Sequence, residues 1–189
     1  MRLKEPRIAP LAEGEGDERQ KEILSMRGRG GPTLNIFRTM VKSPDAAEAF
    51  LTWGRYILSK KSSLRARERE ILILRTGFLC KSGYEFTQHT RIGLESGLTN
   101  KEIGRIKGGA EAGWNEADAA LIRFADDLHN DFFVSNAVWA EALKHFSERQ
   151  CMDAVYTCGQ YTQVSMLLNS FGVPLAEGQV LDPELADYK

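Results

Sequence analysis

The sequence predicts an all-α protein. Residues that favour helix N-termini open segments in which apolar residues recur with a helical period, and glycines close these segments. No stretch alternates apolar and polar residues as a half-buried β-strand does. Because 189 residues is an ordinary domain length, we expect about seven helices in a single domain that spans residues 1–189.

Cap residues, glycines and prolines set the boundaries of the segments. Residues 1–16 are expected to form an N-terminal arm. Residues 173–189 are expected to form a C-terminal tail whose apolar side chains pack on another surface, with a neighbouring subunit as one candidate. Glycines, a proline and two arginines over residues 27–32 predict a flexible connector or an anion-binding loop. Helical segments are predicted over 17–26, 35–41, 44–60, 64–81, 84–96 and 99–107, with others opening at Asn115, Ser135 and Ser147.

The segment over residues 64–81 is predicted to be the central helix. Ser62 or Ser63 can cap it, and its middle is apolar around the whole circumference, which indicates burial on all sides. Ser82-Gly83 interrupts the pattern before the next segment begins. We therefore expect the two segments to form a helical hairpin or a tight kink.

Composition argues against several classes of function. The 25 basic and 26 acidic residues leave a net charge of -1, which gives no sign of a nucleic-acid or membrane surface. The N-terminus lacks an apolar stretch of signal-peptide length, and the longest apolar run, residues 71–74, is far shorter than the ~20 residues of a membrane span. A cytoplasmic protein is expected.

The cysteines and histidines indicate neither a disulfide framework nor a metal site. Cys80, Cys151 and Cys158 contain no Cys-x-x-Cys motif, and the three histidines are too far apart to form a metal-binding pair on one helix. We expect reduced thiols, no metal and no cofactor.

The most informative motif is Tyr84-Glu85-Phe86-Thr87-Gln88-His89. Glu85 and His89 are four residues apart, so on a helix they share one face. A second carboxylate can come from Glu68 or Glu70 on the preceding helix, and periodicity does not choose between them. An imidazole oriented by carboxylates can transfer protons without a metal or a cofactor.

The same residues also have structural interpretations. Ser82 and Glu85 fit the spacing of a capping box, in which Glu85 only satisfies backbone groups at the start of a helix. His89 fits a buried core histidine, because Phe86 and Ile92 flank it. Spacing alone leaves both interpretations open.

Residues 64–75, 82–89 and 92–103 resemble the core of the carboxymuconolactone decarboxylase superfamily, which includes the alkylhydroperoxidase D proteins. The resemblance implies an all-α fold built around a helical hairpin. It also implies a homo-oligomer, a trimer or a hexamer, with a pocket near subunit contacts.

The resemblance also separates two kinds of chemistry. In the peroxidase branch, a glutamate, a Cys-x-x-Cys motif and a histidine form a relay, and the corresponding positions here are Glu70, Ser82, Glu85 and His89. Both thiols are missing, and thiol–disulfide exchange requires an attacking thiolate and a resolving partner. The resemblance therefore favours the decarboxylase-like branch, with Glu70, Glu85 and His89 as candidate catalytic residues.

The expected function is that of a cofactor-free lyase that decarboxylates a small anionic lactone or enolisable acid. Ser82 and Tyr84 are candidates for hydrogen-bonding the substrate, and Arg75 or Arg91 for binding its carboxylate. The alternatives are a peroxide-reducing oxidoreductase, which the missing thiols disfavour, and a non-catalytic helical oligomer that binds a ligand or a partner protein.

Overall fold

The computed structural model describes residues 3–26 and 33–186, and within them it contains ten α-helices and no β-strand. The helices are α1 (Glu18–Ser25), α2 (Asn35–Met40), α3 (Pro44–Leu58), α4 (Ala66–Leu79), α5 (Gly83–Glu95), α6 (Asn100–Lys107), α7 (Glu116–Asp131), α8 (Asn136–Ala142), α9 (Glu148–Phe171) and α10 (Pro183–Ala186). The predicted all-α class is confirmed. The expected number is about seven, and nine of these ten helices lie in the segments predicted to be helical, while α10 lies in the segment expected to be a tail. The connector expected over residues 27–32 lies outside the described residues.

Helix α4 is the centre of the fold, as its apolar circumference predicts. Ile71, Leu72, Ile73 and Leu74 are completely buried, and α4 packs against α5, α7 and α9. Four consecutive buried residues require neighbours on every side of a helix, since successive side chains point about 100° apart. The side chains of α4 therefore contribute to both of the larger hydrophobic clusters of the core.

The N-terminus of α4 differs from the prediction. The helix is capped at Arg65, whose backbone N–H donates to the Glu68 carboxylate at 2.8 Å, and the expected cap by Ser62 or Ser63 is wrong. The Ser63 hydroxyl donates to the Asp153 carboxylate on α9 at 2.6 Å instead. Ser63 therefore bonds to the distant helix α9 and does not cap the neighbouring helix α4.

The turn between α4 and α5 is a tight helical hairpin. Lys81 adopts a left-handed conformation with φ 56°. The N–H of Ser82 donates to the carbonyl of Gly77 at 2.9 Å, and the N–H of Lys81 donates to the carbonyl of Phe78 at 2.9 Å. This pair of bonds is the usual way to stop a helix abruptly. It returns the chain at once, so that α5 runs alongside α4.

Most of the predicted helix caps are present. The side chains of Thr99, Asn115, Ser135 and Ser147 each accept a backbone N–H at the start of α6, α7, α8 and α9, respectively. These caps satisfy groups that a helix cannot pair internally, so they fix where each helix begins. In the part of the chain that the structure describes, no helix has the length and apolar character needed to cross a bilayer.

The C-terminal tail packs on its own chain. Leu185 is 1% exposed and belongs to the main core, while Leu181 lies against Gly83 at the start of α5. Lys107 at the end of α6 forms an ion pair with Asp182 at 2.6 Å. The chain itself therefore covers Leu181 and Leu185, whereas Val180 stays 81% exposed.

Leu185→Ala is expected to lower the free energy of unfolding by about 2–4 kcal/mol, because it opens a cavity in the core. Urea unfolding followed by circular dichroism measures the change. Val180→Ala in the same tail is the matched control, since Val180 is 81% exposed, and it should change stability by less than about 0.5 kcal/mol. Equal effects of the two substitutions would show that the tail does not dock as described.

Candidate functional site

Glu70, Glu85 and His89 meet in the protein interior. Nδ1 of His89 lies 2.7 Å from Oε2 of Glu70 on α4, in hydrogen-bond geometry. Nε2 of His89 lies 2.9 Å from Oε1 of Glu85, one turn earlier on α5. The imidazole is therefore held between two carboxylates, one on each of its nitrogens.

All three side chains are almost fully buried. The side chain of His89 is 8% exposed, that of Glu70 3% and that of Glu85 5%. Buried charged groups are rare in proteins unless they are paired, because removing a charge from water is costly. Here both carboxylates contact the imidazole of His89, which makes the three residues one electrostatic unit.

A small residue lets α4 and α5 approach closely beside this unit. Gly93 lies one turn after His89, and a Cβ there would be 3.1 Å from Cδ1 of Leu98 and 3.3 Å from Cδ1 of Leu74. Such distances are shorter than ordinary van der Waals contact. Gly93 thus helps to bring the α4 carboxylate within hydrogen-bond distance of the imidazole.

The environment of His89 favours its charged form. Burial alone lowers the pKa of the imidazole, but the negative charges of Glu85 and Glu70 and the hydrogen bond to Glu70 raise it by more, so the net pKa lies well above the ordinary value of 6.5. At neutral pH the ring is an imidazolium with an N–H on each nitrogen. His89 is therefore a proton donor in the resting site.

The two N–H groups are not equivalent. The bond from Nδ1 to Glu70 is aligned, whereas the Nε2 contact with Glu85 is short but lacks hydrogen-bond geometry. Oε1 of Glu85 is buried and has no aligned hydrogen-bond donor. This carboxylate oxygen consequently retains unused hydrogen-bonding capacity beside Nε2 of His89.

The capping interpretation of Glu85 is wrong. Helix α5 begins after Ser82, but the Ser82 side chain makes no capping hydrogen bond, and the Glu85 carboxylate contacts His89 instead. Glu68 is the glutamate that caps a helix, since its carboxylate accepts the backbone N–H of Arg65. Tertiary contacts thus distinguish Glu68 from Glu70, which periodicity could not do.

Tyr161 is a fourth residue at the site, and in the sequence it is one of three candidates on the last helix, with Tyr156 and Asn169, that nothing ranks above the others. Its ring lies edge-on to the imidazole of His89, with ring centroids 5.0 Å apart, and it is 4% exposed. Tyr161 lies on α9, 72 positions beyond His89 in the numbering. Local spacing carries no signal for such a contact, so only the packing of α9 on α5 reveals it.

The two candidates for substrate binding occupy different surroundings. Ser82 is completely buried, and its hydroxyl makes no hydrogen bond. The hydroxyl of Tyr84 accepts the backbone N–H of Ile36 on α2 at 3.4 Å, and burial raises the pKa of Tyr84. Ser82 therefore keeps an unused polar group, whereas Tyr84 already holds α2 against α5.

Neither arginine suggested for a substrate carboxylate contacts the imidazole or its two carboxylates. Arg75 donates to the Asp126 carboxylate at 2.6 Å and to the carbonyl of Ile106 at 2.8 Å. Arg91 is exposed and pairs with Glu95 at 2.6 Å. Both guanidinium groups are engaged elsewhere.

Two further observations concern metal ions and pockets. No cluster of three or more histidine, cysteine, aspartate or glutamate side chains suited to a metal ion occurs within residues 3–26 and 33–186. An apolar pocket lies apart from His89, between α1, α2 and α3. It is lined by Ile23, Leu24, Phe37, Met40, Val41, Ala47 and Leu51.

Comparisons with known proteins agree with this architecture. Residues 44–127 match the Carboxymuconolactone decarboxylase family model, and this segment contains Glu70, Glu85 and His89. The solved structures that are similar include proteins with the alkylhydroperoxidase AhpD core. This segment is therefore similar to the carboxymuconolactone decarboxylase family, and the chain has the fold of proteins with the alkylhydroperoxidase AhpD core.

Three solved structures have a fold similar to that of this chain. A peroxidase-related protein from Ralstonia eutropha with an alkylhydroperoxidase AhpD core is 19% identical, with a TM-score of 0.77 over 90% of this chain and 93% of that one. A peroxidase-related protein from a Silicibacter species is 14% identical, with a TM-score of 0.75 over 97% and 96%. A cysteine-to-alanine variant of the debrominase Bmp8 bound to tribromopyrrole is 14% identical, with a TM-score of 0.77 over 92% and 94%.

At these identities the likeness shows a shared fold and not the reaction. The similar structures include peroxidase-related proteins and a debrominase, so members with one fold differ in chemistry. A comparison with the curated proteins gives no match. The reaction has to be argued from the side chains of this chain.

Proposed function

We propose that the protein is a cofactor-free lyase that decarboxylates a small anionic lactone or enolisable acid by acid–base proton transfer. The observation that supports this proposal is the imidazole of His89 buried between the carboxylates of Glu70 and Glu85. Such an arrangement supplies a charged acid at neutral pH and needs no metal to do so. The match of residues 44–127 to the Carboxymuconolactone decarboxylase family supports the proposal of this reaction class.

The proton chemistry assigns a different role to each residue. Loss of carbon dioxide breaks the bond between the carboxylate carbon and its neighbour and leaves an electron pair on the substrate, spread into a conjugated carbonyl. The Nε2–H of His89 then delivers the proton to that carbon, and solvent later restores the imidazolium. His89 is the catalytic acid, and Glu70 is a positioning residue that orients the ring through Nδ1.

Glu85 and Ser82 provide the polar contacts for the substrate in this proposal. Oε1 of Glu85 and the hydroxyl of Ser82 are both buried without an aligned partner, and buried polar groups normally have one. A hydroxyl group of the substrate, or a water molecule bound with it, would form the missing hydrogen bonds. Because the side chain of His89 is only 8% exposed, we expect a small substrate.

The hydroperoxide reductase alternative gains no support from the site. The two positions that would carry the thiols of a Cys-x-x-Cys motif are Ser82 and Glu85, and Glu85 contacts the imidazole directly. A hydroxyl and a carboxylate can neither attack a peroxide nor form a disulfide. The remaining rival is a binding protein in which the buried carboxylates and imidazole only stabilise the fold.

The proposal extends to the protein's assembly and location. We propose a single-domain, cytoplasmic homo-oligomer, a trimer or a hexamer. Exposed apolar side chains on α9 support an interface there: Met152 is 49% exposed, Tyr156 38% and Met166 58%. Light scattering of the purified protein tests this part.

A screen of lactone acids and enolisable acids for release of carbon dioxide tests the reaction. Wild-type protein should release carbon dioxide from at least one compound without added metal or reductant, and Glu85→Gln should release it far more slowly. A compound that both proteins decarboxylate at the same rate would refute the assignment of the site. Peroxide consumption with a dithiol in place of decarboxylation would favour the oxidoreductase alternative.

A further inference from the structure

A second pair of reactive side chains lies outside the site of His89. Cys80 is the C-cap residue that follows α4, and its Sγ lies 3.8 Å from Nδ1 of His129 in the last turn of α7. Both residues are partly exposed, unlike Cys151 and Cys158, which are each 2% exposed. A thiol and an imidazole at this distance are the two parts of an activated nucleophile.

His129 is available as a proton acceptor. Burial lowers the pKa of its imidazole, and the positive charges of Arg75 and Lys81 lower it further, while Asp126 acts in the opposite direction. The ring is therefore neutral at neutral pH, and its Nδ1 can accept the thiol proton of Cys80. Arg75, Lys81 and Asp126 are the charged side chains that act on this imidazole.

The local fields act on the Cys80 thiolate in opposite directions. The carbonyl groups at a helix C-terminus disfavour a negative charge, and Cys80 occupies that position in α4. An imidazolium at His129 and the ammonium of the adjacent Lys81 favour the thiolate. The imidazolium forms only when His129 accepts the thiol proton, so its attraction acts on the thiolate at the moment the thiolate appears.

Polar neighbours of Cys80 lie on α4 and α9. Thr76, one turn before Cys80 on α4, is 2% exposed. It lies beside Cys158, whose thiol also interacts with Cys80, and burial raises the pKa of Cys158 to about 12. The amide of Asn169 fixes the backbone by donating to the Cys80 carbonyl at 3.0 Å. Cys158 therefore stays an unreactive thiol, and Cys80 is the nucleophile of this group.

We propose that Cys80 is a modification site at which small anionic disulfides form a mixed disulfide, with His129 as the base. Lys81 is exposed beside Cys80 and attracts the negative charge of such a reagent. The site is separate from Glu70, Glu85 and His89, so it does not depend on the proposed decarboxylation.

The reaction balances without any other reagent. The thiol proton of Cys80 passes to Nδ1 of His129, and the thiolate attacks one sulfur of the disulfide. The sulfur–sulfur bond of the reagent breaks as the new bond to Cys80 forms. One half stays attached to the protein, and the other leaves as a thiolate, so the reagent's disulfide is the oxidant.

Dithiobis(nitrobenzoate), an anionic disulfide that releases a coloured thiolate, is the probe. Native wild-type protein should release about one equivalent of thiolate per chain rapidly, and Cys80→Ser should abolish this phase while Cys151→Ser keeps it. His129→Asn should slow the phase by at least about 10-fold at neutral pH. His145→Asn, a histidine at another surface position, should react like the wild type.

Charge selectivity is tested with neutral dithiodipyridine. Lys81→Gln should slow the anionic reagent more than the neutral one, and circular dichroism should show that each variant is folded. The proposal is overturned if Cys80→Ser keeps the rapid phase, or if His129→Asn matches the wild type in rate and pH profile. A faster reaction of Lys81→Gln with the anionic reagent would overturn the assigned reagent class.

Discussion

His89→Asn is expected to lower the turnover number of the proposed decarboxylase about 10²- to 10⁴-fold, the usual range for loss of a general acid. Asparagine retains polar groups in the buried space between Glu70 and Glu85 but cannot carry the proton. The measurement is kcat for carbon dioxide release from the substrate found in the screen. His145→Asn is the control, since His145 contacts neither carboxylate of the site, and its kcat should equal that of the wild type.

The pH profile separates catalysis from a structural role of the same residues. Activity that requires the His89 imidazolium should be present at neutral pH and decline as the pH rises through the raised pKa of the ring. Glu70→Gln removes one of the two charges that raise this pKa, so the alkaline decline should move to lower pH by about 1–3 units. Glu68→Gln is the matched control because Glu68 is 2% exposed on the same helix but bonds Arg65, and it should leave the decline in place. An alkaline limb that does not move in Glu70→Gln would contradict the role of His89 as the acid.

Glu70→Ala is expected to lower the free energy of unfolding by about 3–5 kcal/mol near neutral pH, because it breaks a buried charge pair. The remaining imidazolium keeps only Glu85, with which it has no aligned hydrogen bond. Urea unfolding measures the change. Glu95→Ala on the exposed face of α5 should cost less than about 0.5 kcal/mol, since its partner Arg91 is also exposed.

This stability effect should depend on pH with a defined sign. The pKa of His89 is higher in the folded protein than its ordinary value of 6.5, so folding takes up a proton between those two values. Its contribution is complete below about pH 6.5 and is lost as the pH rises through the folded pKa. The cost of Glu70→Ala should therefore shrink as the pH is raised above neutral, and a cost that grows with pH would contradict the charged state of His89.

Features with a local cause could be predicted from the sequence. The caps at Thr99, Ser135 and Ser147 depend on residues within the first turn of each helix, and all three are present. The central position of α4 follows from four consecutive apolar residues, because no single face of a helix can bury them all. The shared face of Glu85 and His89 follows from helical geometry.

Contacts between distant segments could not be predicted in this way. The sequence does not show whether Glu68 or Glu70 contacts His89. The packing of α5 on α4 brings only Glu70 within hydrogen-bond distance of the imidazole. The placement of Tyr161 against the imidazole depends on how α9 packs. His129 and Cys80 are 49 positions apart, and neither motif nor spacing connects them.

The amino-acid sequence by itself determined the helical class, most helix starts and the pairing of Glu85 with His89, since each depends on residues within a few positions of one another. Only the tertiary structure decided that Glu70 completes the buried unit, that the charge of His89 is stabilised, and that Cys80 meets His129. The physical reason is that hydrogen bonding and electrostatic stabilisation depend on distance in space, and the packing of α4 against α5, α7 and α9 sets those distances.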